Sequence, residues 1–391
     1  MREVRILFTC VPGFGHFHPL VPLAAAAEGA GHKVAFTTAE RFCRRVVEPA
    51  GFRWFAAGLS PMVVHEQTLE LPAVAGLADG EVWRFGAHMF AEVAAPAKVA
   101  ELVGIIREWG ADLVVHDMTD FAGPIAAAAC GIVAVNHSFG ALQPDEFWDV
   151  AAAVVAPTWE AWGLAPRPLG GMFDTLFLDI APPGFQSAMI KRVPAVQSLR
   201  PVPFDNPLRQ ALPPWFAALA PGPKVYVTLG TVANHTPHVF ETVLAGVADQ
   251  PATVIVTVGP DRDPAELGPL PANVRVEAYL PQTLVFPSCD LVVCHGGSGT
   301  TLAALAAGLP LLLLPQEANQ FWNAERVADL GAGQVLRSDQ LTAEAVRQAV
   351  GQLLADPKPR ANAQAIAADI AAMPGPHQVV ATLEQLVGAP A

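Results

Sequence analysis

Positive charge is scarce in this chain. Lysine and arginine total 23 against 36 aspartates and glutamates in 391 residues, a formal net charge of −13. Such an acidic surface argues against nucleic acid and anionic membranes as partners, although a local pocket of donors can still hold a small anion. Charged residues make up 15% and hydrophobic residues 52%, which indicates a globular chain with large cores. Cysteine is also sparse. The five, Cys10, Cys43, Cys130, Cys289 and Cys294, are odd in number and show no CxxC spacing. They read as reduced thiols, and the expected compartment is cytoplasmic. No cationic segment followed by an apolar one stands at the start, so no signal peptide is expected. The longest apolar run, LAALAAGLPLLLLP, is broken by Gly308 and Pro310 and is predicted to be helix, turn and strand rather than a membrane span.

The length suits two domains. VRILFTC, KVAFTT, ADLVVHD and IVAVNHS are short β-branched apolar runs separated by the helical patterns LVPLAAAAEGAG, VAELVGIIREWG and FAGPIAAAACG. This alternation predicts a parallel sheet flanked by helices. Pro12 to His16 is predicted to be a loop. The pattern loosens from Leu59 to Val93 and from Gln143 to Pro183, and these parts are expected to be long binding loops carrying aromatic residues around Trp83–Phe90 and Phe147–Trp162. A proline-dense stretch follows, and the alternation restarts with KVYVTLGT, ATVIVTVG, NVRVEAYLPQ, DLVVCHGG and LPLLLLPQ. The predicted division is 1–205 for an N-terminal domain, 206–223 for a linker and 224–373 for a C-terminal domain. A final helix, 374–391, is expected to pack back on the first domain.

In doubly wound sheets ligands bind beyond the carboxyl ends of the strands. His16, Asp117, Thr231, Tyr279, His295 and Gln316 all fall just past such ends. CHGGSGTT, residues 294–301, is a strand end, a glycine turn and a helix start. Unpaired N–H groups and the helix dipole favour anions there, and His295, Ser298 and Thr300 add side-chain donors. GFGHFHP is not a dinucleotide fingerprint, because His18 stands where its third glycine belongs and Thr37–Thr38, not an acid, end the second strand. His16 on this turn reads as a general base or as a capping histidine. Asp117 reads as its charged partner or as a helix cap. Thr231 is a phosphate contact or a cap. Tyr279 is a base platform or ordinary packing, with Gln282 beside it to read polar edges. DRD, residues 261–263, reads as a solvated turn, and no acidic or histidine cluster supplies metal ligands. Gln316, Glu317, Asn319 and Gln320 are helix caps or contacts to a hydroxylated ligand.

GHFHP, VYVTLGT, YLPQ and CHGGSGTTLAALAAGLPLLLLPQEANQFWNAERV together resemble the family 1 glycosyltransferases, nearest in pattern to the actinobacterial antibiotic type that acts on calicheamicin and macrolides. DLVVHD, LFLDIAPPGFQ, LRPVPF and MPGPHQVVATLEQLV extend the likeness over nearly the whole chain. The resemblance implies the GT-B fold, an α/β architecture of two Rossmann-like doubly wound domains facing across a cleft. It implies inverting, metal-independent transfer of a sugar, here a deoxysugar, from a nucleotide diphosphate to a hydroxyl of a secondary-metabolite aglycone. It places the base on His16 and its support on Asp117. Base stacking falls on Tyr279 with the backbone of Leu280. Phosphate binding falls on His295, Gly297, Ser298, Gly299 and Thr300, helped by Thr231. Sugar binding falls on Asn319 and Gln320. Tyrosine replaces the family's usual tryptophan at 279, and asparagine replaces its usual acid at 319. No cofactor is implied beyond the co-substrate, with dTDP favoured over UDP. The expected partners are the nucleotide sugar and a small aglycone, and a homodimer is left open. A sugar-nucleotide epimerase of the same fold and a non-catalytic auxiliary protein are the rival readings.

Overall fold

The computed structural model describes residues 3–77, 81–205, 211–230, 237–248, 250–259, 262–317 and 319–388. They form two compact units. One comprises 1–181, 186–200 and 373–391, and the other 182–185 and 201–372. Each unit is an α/β sheet of the Rossmann kind.

The first unit is built on β1 (Arg5–Thr9), β2 (Lys33–Thr38), β3 (Trp54–Ala56), β4 (Leu113–Asp117), β5 (Val133–His137), β6 (Phe177–Asp179) and β7 (Val196–Ser198). The order is β3-β2-β1-β4-β5-β6-β7, and the pairings are parallel. Chain order reverses between β1 and β4. At such a point the two following loops diverge to opposite faces and leave a crevice beyond the carboxyl ends. The strands are apolar on both faces because helices cover both. Leu7 and Val114 belong to one core cluster with Val99, Leu102 and Ile106 of the helix Ala95–Trp109. The helix Pro376–Gly388 clusters with this unit. Val4 N–H donates to His32 Nδ1 at 3.3 Å, so the His32 Nε2–H is the donor to Glu384 of that helix at 2.9 Å.

The second unit repeats the plan with β8 (Lys224–Thr228), β9 (Thr253–Thr257), β10 (Val274–Glu277), β11 (Leu291–Cys294), β12 (Leu311–Leu313) and β13 (Gly333–Val335). Their order is β10-β9-β8-β11-β12-β13, so the reversal lies between β8 and β11.

Three local expectations are corrected. Pro12–His16 is not all loop, because Phe14–Phe17 closes a helical turn with the N–H groups of His16 and Phe17 on the Gly13 carbonyl. The stretch 143–183 is not an irregular binding loop but holds the helix Asp145–Ala161. Trp148, Ala151, Val155 and Trp159 recur every three or four residues and are all fully buried, so these aromatics are core and do not line an acceptor site. Pro157 inside the helix hid the period from the sequence. The 59–93 stretch is likewise largely helical, at Pro61–Leu69, Val82–Ala87 and His88–Ala94.

Among the described residues no helix is long and apolar enough to cross a membrane.

Candidate active site

In the first unit the crevice between β1 and β4 is occupied by His16 and Asp117. Asp117 is the last residue of β4 and is 1% exposed. Its Oδ1 accepts from the Thr119 N–H and hydroxyl, both at 2.7 Å, and its Oδ2 accepts from the Val11 N–H at 2.8 Å. His16 Nδ1 lies 3.4 Å from Oδ1 and 3.2 Å from the Thr119 hydroxyl. The carboxylate therefore both caps the turn after β4 and faces the imidazole. Burial pushes its pKa up, but His16 and the Thr119 donors outweigh this and leave it below the usual carboxylate value. The His16 ring packs edge-on to Phe139, with centroids 4.6 Å apart, and to Phe90 at 5.9 Å. With Nδ1 turned to the carboxylate, Nε2 is the nitrogen left for a ligand. His116, one residue earlier in β4, is buried with its Nδ1 on the Asp117 carbonyl, as strand alternation requires.

In the second unit the corresponding place follows β11. Gly297 caps the helix Ser298–Ala306 and has no side chain to occupy the first amides. The Ser298 hydroxyl oxygen accepts from Asn319 Nδ2 at 2.9 Å and Asn323 Nδ2 at 3.0 Å. Two amide protons on that oxygen leave the hydroxyl as a donor. A Cβ on Gly230 would come within 2.6 Å of the His295 ring, and one on Gly297 within 2.3 Å of its Nε2. The imidazole thus lies in a slot that only glycines on either side leave open. Its Nδ1 is buried without a partner, and burial pushes its pKa down to about 4. At neutral pH it is an uncharged ring with one N–H to give.

The remaining predicted residues divide. The Tyr279 hydroxyl donates to Asp205 Oδ1 at 3.3 Å, and Leu280 is buried. Gln282 directs Nε2 to the Thr300 hydroxyl at 3.2 Å, so that amide is already engaged with the helix Ser298–Ala306. Gln320 uses Oε1 to cap the N–H groups of Gln316 at 2.9 Å and Glu317 at 3.2 Å, leaving only its NH₂ for a ligand. Gly299 is exposed and Thr300 half-buried. Thr231 lies outside the described residues, as does Asp261 of DRD. Asp263 caps the N–H of Ala265, and Arg262 pairs with Glu266. Among the described residues no group of three or more His, Cys, Asp or Glu could hold a metal ion.

Several participants had escaped the sequence reading. Asp205 accepts from the N–H groups of Gln282 at 2.9 Å and Thr283 at 3.1 Å, tying the segment before the linker to the YLPQ turn. Nothing local in LRPVPFD signals this. Asn323 had a signal, being four residues, one helical turn, after Asn319. Lys98 had one too. It shares the buried stripe Ala95, Val99, Leu102 and Ile106, where a lone cation needs a partner. That partner is Asp120, at 2.6 Å.

His137 ends β5 in register with Asp117. Burial pushes its pKa down to about 4, its Nδ1 sits 2.6 Å from the Ser138 carbonyl, and its Nε2 has no partner. The unfolded chain takes up this proton near pH 6.5, whereas the folded chain resists until about 4. Folded-state stability must therefore fall as pH drops through that window, by about 3 kcal/mol from this group. Urea unfolding of wild type and His137→Gln at pH 7 and pH 4.5 measures it. The variant should show the smaller acid loss, and an equal loss in both would contradict the assignment.

The chain matches two family models, the erythromycin biosynthesis protein CIII-like N-terminal domain over residues 77–230 and the C-terminal domain over 241–386. It is 33% identical to the L-demethylnoviosyl transferase of Streptomyces niveus, with 94% of this chain and 97% of that protein aligned. The crystal structure of the glycosyltransferase SnogD from Streptomyces nogalater superposes with a TM-score of 0.77 at 29% identity, covering 99% of this chain and 100% of SnogD. Glycosyltransferase VinC, solved with dTDP, gives 0.80 at 28% identity over 98% of this chain and 100% of VinC. These likenesses span the chain, and the two Rossmann-like units are those of the GT-B glycosyltransferases. The chain belongs to the erythromycin CIII-like glycosyltransferase family of actinobacterial antibiotic biosynthesis.

Proposed function

We propose that this protein moves a deoxysugar from a nucleoside diphosphate, dTDP in preference to UDP, onto a hydroxyl of a secondary-metabolite aglycone. Configuration inverts, His16 is the general base, and no metal takes part. The observation that carries the reading is the pairing of His16 Nδ1 with the buried Asp117 carboxylate. A neutral imidazole held in this way takes a hydroxyl proton on Nε2, and the carboxylate stabilises the imidazolium that results. The acceptor oxygen forms its bond to the anomeric carbon as the carbon–phosphate oxygen bond breaks. The electron pair leaves with the diphosphate. Negative charge building there meets the amides at the start of Ser298–Ala306, the oriented Ser298 hydroxyl and the His295 N–H. Fixed neutral donors of this kind stabilise an oxyanion without a cation.

VinC with bound dTDP supports the nucleotide choice. Asn319 supports a change in sugar recognition, since one N–H of its amide is given to the Ser298 hydroxyl and the group carries no charge. Its carbonyl and its second N–H remain to meet a sugar, an uncharged pair where an acid would bring charge.

Incubation of purified protein with dTDP- and UDP-deoxysugars and a panel of polyketide aglycones tests the reading by chromatography of products. A new β- or α-glycoside of opposite anomeric configuration to the donor, formed faster from dTDP donors, is expected. EDTA should leave initial rates unchanged. Free epimerised sugar nucleotide without glycoside would favour the epimerase, and activity lost to EDTA and restored by magnesium would remove the metal-independent mechanism.

A further inference from the structure

Behind His16 and Asp117 lies a second layer of charge that the transfer mechanism does not use. Lys98 and Asp120 are 5% and 3% exposed. Lys98 Nζ donates to Asp120 Oδ2 at 2.6 Å and to the Cys10 carbonyl at 2.9 Å. Asp120 Oδ2 also accepts the Thr9 hydroxyl at 2.6 Å. The peptide that offers its carbonyl to Lys98 is the one whose N–H, that of Val11, donates to Asp117 Oδ2 at 2.8 Å. One rigid peptide plane therefore joins a buried cation on one edge to the carboxylate on the other. Hydrogen bonds in series polarise one another, so the cation strengthens the bond to Asp117 as well as holding its direction.

We propose that Lys98 is a positioning residue for His16. It fixes the Cys10–Val11 peptide and through it the Asp117 carboxylate, while its ion pair with Asp120 keeps the charge of Asp117 available to the imidazole alone. Because this rests on His16 as the base, the groups around that ring matter. Asp117 and Thr119 face it from the end of β4, Phe90 from the segment His88–Ala94, and Phe139 from beyond β5. His88 and Glu92 of that segment pair with each other at 2.5 Å. His18, on its own side of the chain, packs on Phe14. Burial keeps His116, His137 and the Cys10 thiol uncharged. The charged groups bonded to this peptide and its partners are thus Asp117, Asp120 and Lys98, while Glu92 is held by His88. A buried cation is costly unless paired, and here one partner is an anion and the other a carbonyl that leads to the site.

The experiment is the pH dependence of kcat/KM for Lys98→Met, Asp120→Asn and the double variant, each checked for folding by circular dichroism. Loss of the cation leaves excess negative charge beside the imidazole, so Lys98→Met should move the acid limb to higher pH. Asp120→Asn leaves excess positive charge and should move it to lower pH, each by roughly half a unit or more. The double variant restores neutrality and should return the limb to its wild-type position. Its kcat should stay at least about tenfold down with donor KM unchanged, because the Cys10 carbonyl is still unheld. Packing damage alone would move neither limb in opposite directions. Unmoved limbs in folded single variants overturn the proposal. So does wild-type kcat in the folded double variant, which decides the matter if the singles do not fold. Full turnover by His16→Ala would instead remove the base assignment, so the two failures are separable.

Discussion

His16→Ala should lower turnover by about 10²–10⁴-fold, while the affinity for dTDP stays within a few-fold of wild type. The reason lies in what each ring nitrogen does. Nδ1 is committed to Asp117 and Thr119 at 3.4 and 3.2 Å, which holds the ring in one orientation, and two aromatic edges restrict its tilt. A ring fixed in this way loses little entropy when it takes a proton from a bound hydroxyl. Alanine leaves the acceptor proton to solvent, and the donors proposed to hold the nucleotide, which belong to the second unit, are untouched. Asp117→Asn complements it. The amide keeps the size and loses the charge, so the imidazolium is less stable, turnover falls and the acid limb of the rate profile moves to lower pH. Steady-state kinetics with calorimetric dTDP titrations on both variants gives the answer. Near-wild-type turnover by His16→Ala would sink the base assignment. If Asp117→Asn changes only thermal stability, the carboxylate serves the Thr119 turn and nothing more.

The second large effect belongs to His295. His295→Ala should weaken dTDP or UDP binding by roughly ten- to hundredfold, the value of about 1.5–3 kcal/mol for a hydrogen bond to a charged oxygen. Thymidine without phosphates should bind poorly and barely notice the change. The neutral state of the ring, with its pKa pushed down to about 4 by burial, means that a directed N–H and not a charge is lost. Gly297→Ala is an independent route to the same end. Its backbone is ordinary, at φ −60, so the methyl does no harm except to the ring, which it would meet at 2.3 Å with Gly230 closing the other side. Displacing the ring should cost nucleotide affinity about as much as deleting it. Calorimetric titration of nucleotide and nucleoside into the three proteins distinguishes the possibilities. Equal weakening of both ligands, or of neither, would reduce CHGGSGTT to a tight strand–helix turn.

What the sequence determined by itself was the alternation. Short β-branched runs between amphipathic helices can be buried only as a parallel sheet covered on both faces, and two such series with a proline-dense stretch between them make two units. Residues at strand ends were legible for the same reason: where an apolar run stops at His, Asp or Gly, the chain has reached the edge of the core. What only the tertiary structure decided was which strand ends meet. Strand order is set by how the helices pack, and no local pattern states that β1 lies beside β4, or β8 beside β11. Those adjacencies place Asp117 against Val11 and His16, and Cys294 in register with Thr228. Long-range partners were invisible for a related reason. Lys98 and Asp120, or Asp205 and Thr283, are separated by 22 and 78 residues, and a side chain's need for a partner does not say where the partner is. The helix Asp145–Ala161 was missed because Pro157 and its mixed composition masked a buried face that becomes obvious only once Trp148 and Trp159 are seen inside. Sequence thus specified the elements and the chemistry at their ends, and packing specified the constellation, because a fold is selected by contacts between residues far apart in the chain.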